Sequence, residues 1–375
     1  MGDAADSSLA TTALFTPLRV GTMQLQHRIA MAPLTRNRAH DDHTHSELAI
    51  EYYVQRGSFE GTLLITEATF IAEEAGGFTN VPGIYTQKQI DAWKKITDAV
   101  HAKGSYMYLQ LWALGRAADP EVLKEYGAEV VSSSDVPIKG RPNPHPLTKE
   151  EIKKFVGHYA TAATNAVAAG FDGVEIHGAN GYLVDQFTQD TCNNRTDEYG
   201  GSIENRCRFG LEVAAAVCSA IGQERTAIRL SPWSQFQDMR MADPIPTFSY
   251  LVSELKSRFP DFAYIHVTEP RVQGNVDRTA PKSESNDFLR KIWAPKVFLD
   301  CGGFTDKLEE DVVPRMGDVI VYGRYFISNP DLPLRLKKGI PFVPWDRETW
   351  YLHGPTGSKG YTDYPTAEEA EKAKI

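Results

Sequence analysis

The chain of 375 residues predicts an α/β fold, a single (β/α)8 TIM barrel with a long lid loop after its third strand. Short β-rich apolar runs alternate with helical stretches from end to end, and strict alternation of this kind implies a parallel sheet. Eight such units close a barrel, and about 250 residues suffice for one, which leaves room for extra loops. Polar and glycine residues also gather at the C-terminal ends of the runs, where parallel α/β folds place their ligands.

The strand candidates, in order, are Ile29–Leu34, Leu63–Thr69, Tyr106–Trp112, Val174–His177, Thr226–Leu230, Tyr264–Val267, Val297–Leu299 and Val319–Tyr322. Helix signals separate them. Thr86-Gln-Lys-Gln89 reads as a capping box, with Tyr85 and Ile90 placed as a hydrophobic staple and Gly104 as the stop. Thr148-Lys-Glu-Glu151 opens a second helix that runs to about Ala169 before Gly170, and Ser202 caps a third that ends near Ile221. Residues 1–12 are small and acidic, with neither the basic start nor the apolar core of a signal peptide, and are expected to be a flexible leader. Residues 13–375 are expected to form one barrel domain. Within it, 115–147 shows little periodicity and carries prolines at 137, 142, 144 and 146, which predicts a lid over the catalytic mouth. A smaller extension at Asn275–Asn286 belongs on the same rim.

Bulk properties remove whole classes of function. A net charge of −9 argues against a nucleic-acid partner, because phosphate binding needs a basic face. No apolar stretch approaches the roughly 18 residues of a membrane span. The cysteines, Cys192, Cys207, Cys218 and Cys301, lack zinc or C-x-x-C spacing and suit a reducing compartment, with the cytoplasm as the default. The expected partner is a small molecule, and the chain is expected to act as a monomer or homodimer.

Chemistry concentrates in Gly173-Val-Glu-Ile-His177-Gly-Ala-Asn180-Gly-Tyr182, where a strand gives way to a helix spanning roughly Tyr182 to Gln189. His177 and Asn180 can donate together to one oxygen, and Tyr182 can hold a proton nearby, which is equipment for polarising a carbonyl. Taken alone, His177 also fits a satisfied core histidine. A metal reading lacks ligands, with His266 as the one other plausible barrel histidine, so no metal is expected. Glycines follow the last two strands in Asp300-Cys-Gly302-Gly303-Phe304 and Val321-Tyr-Gly323-Arg324, the usual barrel phosphate position. Two ordinary turns and a surface arginine would look the same. No G-x-G-x-x-G follows any strand, which argues against a Rossmann-bound dinucleotide. Thr35, Gln110 and Arg229 close other strands, and together with a phosphate site they suit a flat, polar-edged cofactor such as flavin mononucleotide (FMN). A rival reading is a barrel glycoside hydrolase using Glu175 and Asp300, with Glu67 as a further carboxylate. Glu175 lies two residues before His177 on one strand face, one layer deeper, which weakens that reading.

Five passages carry a family resemblance: Met31-Ala-Pro-Leu-Thr-Arg36, Leu109-Gln-Leu-Trp112, His177-Gly-Ala-Asn-Gly-Tyr182, Asn194-Arg-Thr-Asp-Glu-Tyr-Gly-Gly-Ser-Ile-Glu-Asn-Arg206 and Tyr322-Gly-Arg324. Over nearly its whole length, from about Leu14 to Ala370, the chain resembles the Old Yellow Enzyme family of flavin-dependent ene-reductases. The resemblance implies an FMN-binding barrel that reduces activated carbon–carbon double bonds, in enals, enones and related alkenes, with NADPH as hydride donor. It further implies that Pro33 and Thr35 lie against the flavin, Gln110 binds its pyrimidine edge and Arg229 faces N1 and O2. Gly302, Gly303, Gly323 and Arg324 would hold the phosphate. His177 and Asn180 would grip the substrate carbonyl, Tyr182 would protonate the α-carbon, and Trp112, Phe236 and Tyr351 would shape the pocket. Gly303 departs from the family pattern, where asparagine is frequent, so its phosphate contact would come from backbone alone.

Overall fold

The computed structural model describes residues 13–307, 315 and 317–373; the expected leader lies outside the described residues. Eight parallel strands close a barrel: β1 (Ile29–Met31), β2 (Leu63–Ile65), β3 (Tyr106–Trp112), β4 (Gly173–Gly178), β5 (Thr226–Leu230), β6 (Tyr264–Thr268), β7 (Phe298–Cys301) and β8 (Val319–Tyr322). Each pairs with the next, and β8 returns to β1 with Val321 opposite Ala30. All eight predicted strands are present. Strand parity sorts their side chains into two layers. Leu109, Val174, Ile176, Ile228, Ile265 and Phe298 pack outward against the helices, whereas Ala30, Leu63, Tyr108, Ala227, Tyr264, Leu299 and Cys301 fill the interior. An antiparallel hairpin, Leu18–Val20 with Met23–Leu25, packs onto the interior cluster at the end opposite the ligand face.

The helix starts follow the capping chemistry. Thr86 and Thr148 each accept from the N3 backbone in a complete capping box, opening Gln87–His101 and Lys149–Ala168. Ser202 caps Ile203–Ile221, and Gly222 follows with φ 94.

Three expectations need correction. The first strand ends at Met31, earlier than Leu34, because Pro33 has no N–H to continue the ladder; residues 32–36 become a loop along the mouth instead. The second strand breaks after Ile65 and resumes as a two-residue strand, Thr69–Phe70, against Leu111 and Trp112. Glu67 occupies the break, where its carboxylate accepts from His45 Nε2 at 3.0 Å and from the Arg36 N–H at 3.3 Å. The lid, in turn, is far from structureless. It contains the helix Pro120–Glu125, capped by Asp119, and a parallel pair of Val131–Ser132 with His145–Pro146. Arg195 clamps its base by donating to Ser133 O at 2.8 Å and Leu147 O at 2.7 Å. Asp119-Pro120, an N-cap followed by proline at N1, was the legible signal for that helix.

A second device holds the opposite rim. The Arg36 guanidinium, fully buried, donates to Trp350 O at 3.2 Å and Gly360 O at 2.6 Å. It also lies 5.3 Å from the ring centroids of Tyr52 and Tyr361, which stack on each other at 4.2 Å. Arg38 donates to Gly357 O and Lys359 O, and Arg56 to Tyr361 O at 3.3 Å. Three arginines therefore tie a C-terminal arm, otherwise poor in regular structure, to the loop after β1 and the helix Leu48–Arg56. Arg36→Ala is expected to cost about 2–4 kcal/mol by removing buried charged donors from two carbonyls. Urea unfolding measures it; a midpoint unchanged from wild type would contradict this anchoring.

Candidate active site

The turn after β4 is built from backbone conformations that its sequence favours. Asn180 takes φ 58, a left-handed conformation that asparagine tolerates, and its N–H donates to Ser231 Oγ at 2.7 Å. Gly181 follows at φ 76, where a Cβ would stand 2.7 Å from Met239 Cγ, so the turn requires glycine. Its N–H donates to Asp185 Oδ2 at 2.9 Å, and Tyr182 then opens the helix Leu183–Thr188. Three rings meet above the turn. Trp112 packs edge-on to Tyr182 at 4.8 Å, His177 packs edge-on to Tyr182 at 4.8 Å, and Trp112 stacks on His177 at 6.2 Å.

These groups open onto a cavity of about 500 Å³ at the C-terminal mouth of the barrel. All fourteen residues that the resemblance assigned to the flavin or the substrate line it: Pro33, Thr35, Gln110, Trp112, His177, Asn180, Tyr182, Arg229, Phe236, Gly302, Gly303, Gly323, Arg324 and Tyr351. The lid packs on its wall, since Ala118 and Leu123 share a cluster with Trp112 and Tyr182. The extension after β6 forms a small hairpin, Val272–Gln273 with Val276–Asp277, whose Asn275 donates to the Tyr351 hydroxyl at 3.1 Å.

Burial sets the protonation of His177 and Tyr182. His177 is 4% exposed, and desolvation, with the Arg229 and His266 charges adding to it, holds its pKa well below the ordinary histidine value. The ring is therefore a neutral donor. Tyr182 is pushed up, chiefly by burial, and stays protonated. Its environment includes Gln237, whose amide also donates to Asn180 O at 2.9 Å.

Beneath them lies a buried charged floor. Glu175 accepts from Gln110 Nε2 at 2.8 Å and pairs with His266 Nδ1 at 2.9 Å. Burial alone would raise the Glu175 pKa, but the His266 and Arg229 charges outweigh it and the net shift is downward. His266 shifts up for the complementary reason: burial opposes its charge, and Glu175 outweighs burial. The pair is a carboxylate facing an imidazolium.

This arrangement removes the glycoside hydrolase reading. Asp300 has the opposite parity to Cys301 and turns outward, where Arg290 and Arg315 hold it at 3.0 and 2.6 Å. Glu175 is committed inside the barrel, and Glu67 is held by His45. No two of these carboxylates share a site. Arg324 meets a partner that sequence did not foresee: Asp277 of the rim hairpin accepts from its Nη1 at 2.8 Å. Sequence reasoning also passed over Gln237, Arg271, Ser231 and Cys301. Ser231 directly follows a predicted strand end, which was a usable signal; Gln237, at φ 59 in an irregular turn, had none.

The fold and cavity define a (β/α)8 barrel with a cofactor-sized site at its C-terminal mouth. The chain belongs to the NADH:flavin oxidoreductase / NADH oxidase family, whose profile matches residues 13–342, and within it to the Old Yellow Enzyme group. It is 53% identical over 368 residues to the chanoclavine-I aldehyde reductase fgaOx3 of Penicillium roqueforti, covering 96% of this chain and 98% of that one. It is 52% identical over 372 residues to the NADP-dependent oxidoreductase lnbE of Aspergillus flavus, covering 95% and 97%. It is also 46% identical over 372 residues to a probable inactive reductase, easA, of Epichloe festucae var. lolii, covering 96% and 97%. The crystal structure of Old Yellow Enzyme from Pichia sp. AKU4542 superposes with a TM-score of 0.89 at 41% identity, covering 96% of this chain and 95% of that one. The protein is thus an NADPH-linked FMN oxidoreductase of the ene-reductase type.

The residues present fit FMN. Arg229 Nε, Thr268 Oγ1, His177 Nδ1 and Asn180 Oδ1 are buried without a hydrogen-bond partner among the described residues, and all four residues line the cavity. Neutral His177 makes a sharp prediction for histidine-selective NMR. Its ring resonance, assigned by its loss in His177→Gln, should not titrate between pH 5.5 and 8.5. His101, raised by its hydrogen bond to Asp172, should titrate with a midpoint above the ordinary value of 6.5. A titrating His177 would contradict the desolvation argument.

Proposed function

We propose that this cavity reduces the C=C bond of α,β-unsaturated aldehydes and ketones, with His177 and Asn180 binding the carbonyl oxygen and Tyr182 supplying the proton to Cα. The observation that carries the reading is the unpartnered His177 Nδ1, buried beside Asn180 and a protonated phenol over a cavity of flavin size. FMN, when bound, supplies hydride to the β-carbon and is itself recharged from NADPH. The chain's own residues do the rest. Neutral His177 donates without carrying a charge that would hold the product, and Asn180 is fixed by Ser231 and Gln237 on either side of its peptide. Donors placed before the reaction stabilise the enolate oxygen as charge develops there, an effect of roughly 10²–10³ in rate per donor.

For the cofactor, Gln110 spends an amide N–H on Glu175, which leaves its carbonyl oxygen to accept from a pyrimidine N–H. Arg229 offers positive charge from the barrel floor, and Pro33 and Thr35 border the site from the loop after β1. Backbone N–H groups at Gly302, Gly303 and Gly323 can approach a phosphate, with Arg324 exchanging Asp277 for it. Trp112, Phe236 and Tyr351 enclose the substrate, and NADPH uses the same space in turn. The aldehyde named for the Penicillium relative supports an enal as substrate. A flavoprotein that has lost its redox use, as one relative's name suggests for that protein, is disfavoured here by the complete trio. Four unpaired buried thiols support a reducing, intracellular setting, and among the described residues no helix is long and apolar enough to cross a membrane.

The test is binding of p-hydroxybenzaldehyde, followed by flavin absorbance. His177→Ala or Asn180→Ala should weaken it about ten- to a hundredfold while FMN stays bound. Wild-type affinity in both variants would refute the carbonyl site, and loss of FMN would show that these residues hold the cofactor instead.

A further inference from the structure

The charged floor contains one group that this reaction leaves unused. Cys301 ends β7 facing inward, 6% exposed, and lines the cavity. Arg229 Nη2 donates to its sulfur at 3.7 Å. His266, whose Nδ1 is spent on Glu175, has no hydrogen-bond partner at its buried Nε2 among the described residues, and its charge acts on the Cys301 sulfur. Glu175, His266, Arg229 and Cys301 thus form a charged cluster whose sulfur end borders the cavity.

Charge balance says what the sulfur does there. Arg229 and His266 carry two positive charges in a water-poor floor, and Glu175 supplies one negative charge. Tyr264 beside Glu175 is pushed far up by burial and stays neutral. The thiol is the floor group left to balance the second cation. Burial alone would raise its pKa, but the neighbouring His266 imidazolium and the Arg229 guanidinium outweigh it, and the net shift is downward. The other three thiols go the opposite way: burial pushes Cys218 up to about 11 and Cys207 to about 12, and raises Cys192.

We propose that Cys301 is a nucleophilic thiolate site that adds covalently to electron-poor alkenes whenever FMN does not cover it. Gly302 and Gly303 follow it directly and line the same cavity, so a cofactor seated on those glycines would cover the sulfur. In the addition, the sulfur forms a bond to the β-carbon and the C=C π pair moves onto the carbonyl as an enolate. The enolate then takes a proton from solvent water at the α-carbon, and no electron donor or acceptor is consumed. The ligand class is the soft Michael acceptor, the same class that the holoenzyme is proposed to reduce. FMN occupancy therefore decides whether such a molecule is turned over or captured.

The inference rests on the proposed seating of FMN, and not on alkene reduction. The experiment treats the full chain, as holoenzyme and after reversible removal of FMN, with N-ethylmaleimide and separately with cinnamaldehyde, followed by intact mass and peptide mapping. FMN-free protein is used only where added FMN rebinds at one equivalent, which keeps unfolded material out. One adduct should appear at Cys301, at least tenfold faster without FMN than with it, and ahead of Cys192, Cys207 and Cys218. Between pH 8 and 6 the rate should fall by less than about threefold, where an ordinary thiol would lose roughly seventyfold of its thiolate. His266→Gln should restore the steep pH dependence, and Cys301→Ala should abolish the adduct. Equal labelling with and without FMN, labelling led by another cysteine, a steep pH profile in the wild type, or no adduct would each overturn the proposal. Failure of enone turnover in the holoenzyme would sink the proposed function and leave the labelling result standing.

Discussion

The buried carboxylate of Glu175 is the constraint on which the rest of the site depends. It sits inside a barrel whose interior is otherwise largely apolar, with Gln110 of β3 and His266 of β6 both donating to it. A lone carboxylate there would cost several kcal/mol in lost hydration, so it persists only because charged and polar partners surround it. Those partners are the useful residues. Gln110 is oriented by the bond it gives, His266 is kept charged, and Arg229 is held among counter-charges at the cavity floor. Removing Glu175 would leave the imidazolium and the guanidinium with one fewer counter-charge between them.

Above that floor, the site is assembled by three clamps from different parts of the chain. Arg195 fastens the lid, Arg36 fastens the C-terminal arm that carries Trp350 and Tyr351, and Asp277 brings the rim hairpin to Arg324. In the lid and arm clamps, a guanidinium bonds to backbone carbonyls, which suits segments with little ladder pairing of their own. The barrel positions the chemical groups by strand parity, and the arginines close the walls around them. His177 stays neutral because this enclosure excludes water, so the same packing that shapes the pocket sets its protonation.

Much of the barrel was legible in sequence because its rules are local. Period-two runs, capping boxes at Thr86 and Thr148, and Ser202 as an N-cap each act over a few residues. The trio was legible because it falls on one strand end and turn. What escaped depends on contacts between distant segments. Glu67 breaks the second strand by turning to His45, which hydropathy does not encode. The pairing of Arg324 with Asp277 joins residues 47 positions apart. Parity gave a direct way to separate Asp300 from Glu175 as a catalytic pair, since Asp300 adjoins inward Cys301 and must point outward. Cys301 was read only as one of four free thiols, because a single thiol in a strand carries no further signal until His266 and Arg229 are placed beside it.

In the proposed cycle Tyr182 serves the alkene half and not the NADPH half. Anaerobic stopped-flow absorbance of Tyr182→Phe separates the two. Bleaching of the flavin by NADPH should proceed within about twofold of wild type, while its reoxidation by cyclohexenone should slow by roughly 10²-fold or more, the usual worth of a positioned acid. Reoxidation at the wild-type rate would contradict the assignment of the proton to Tyr182, and equal slowing of both halves would show that the ring shapes the pocket rather than supplying the acid.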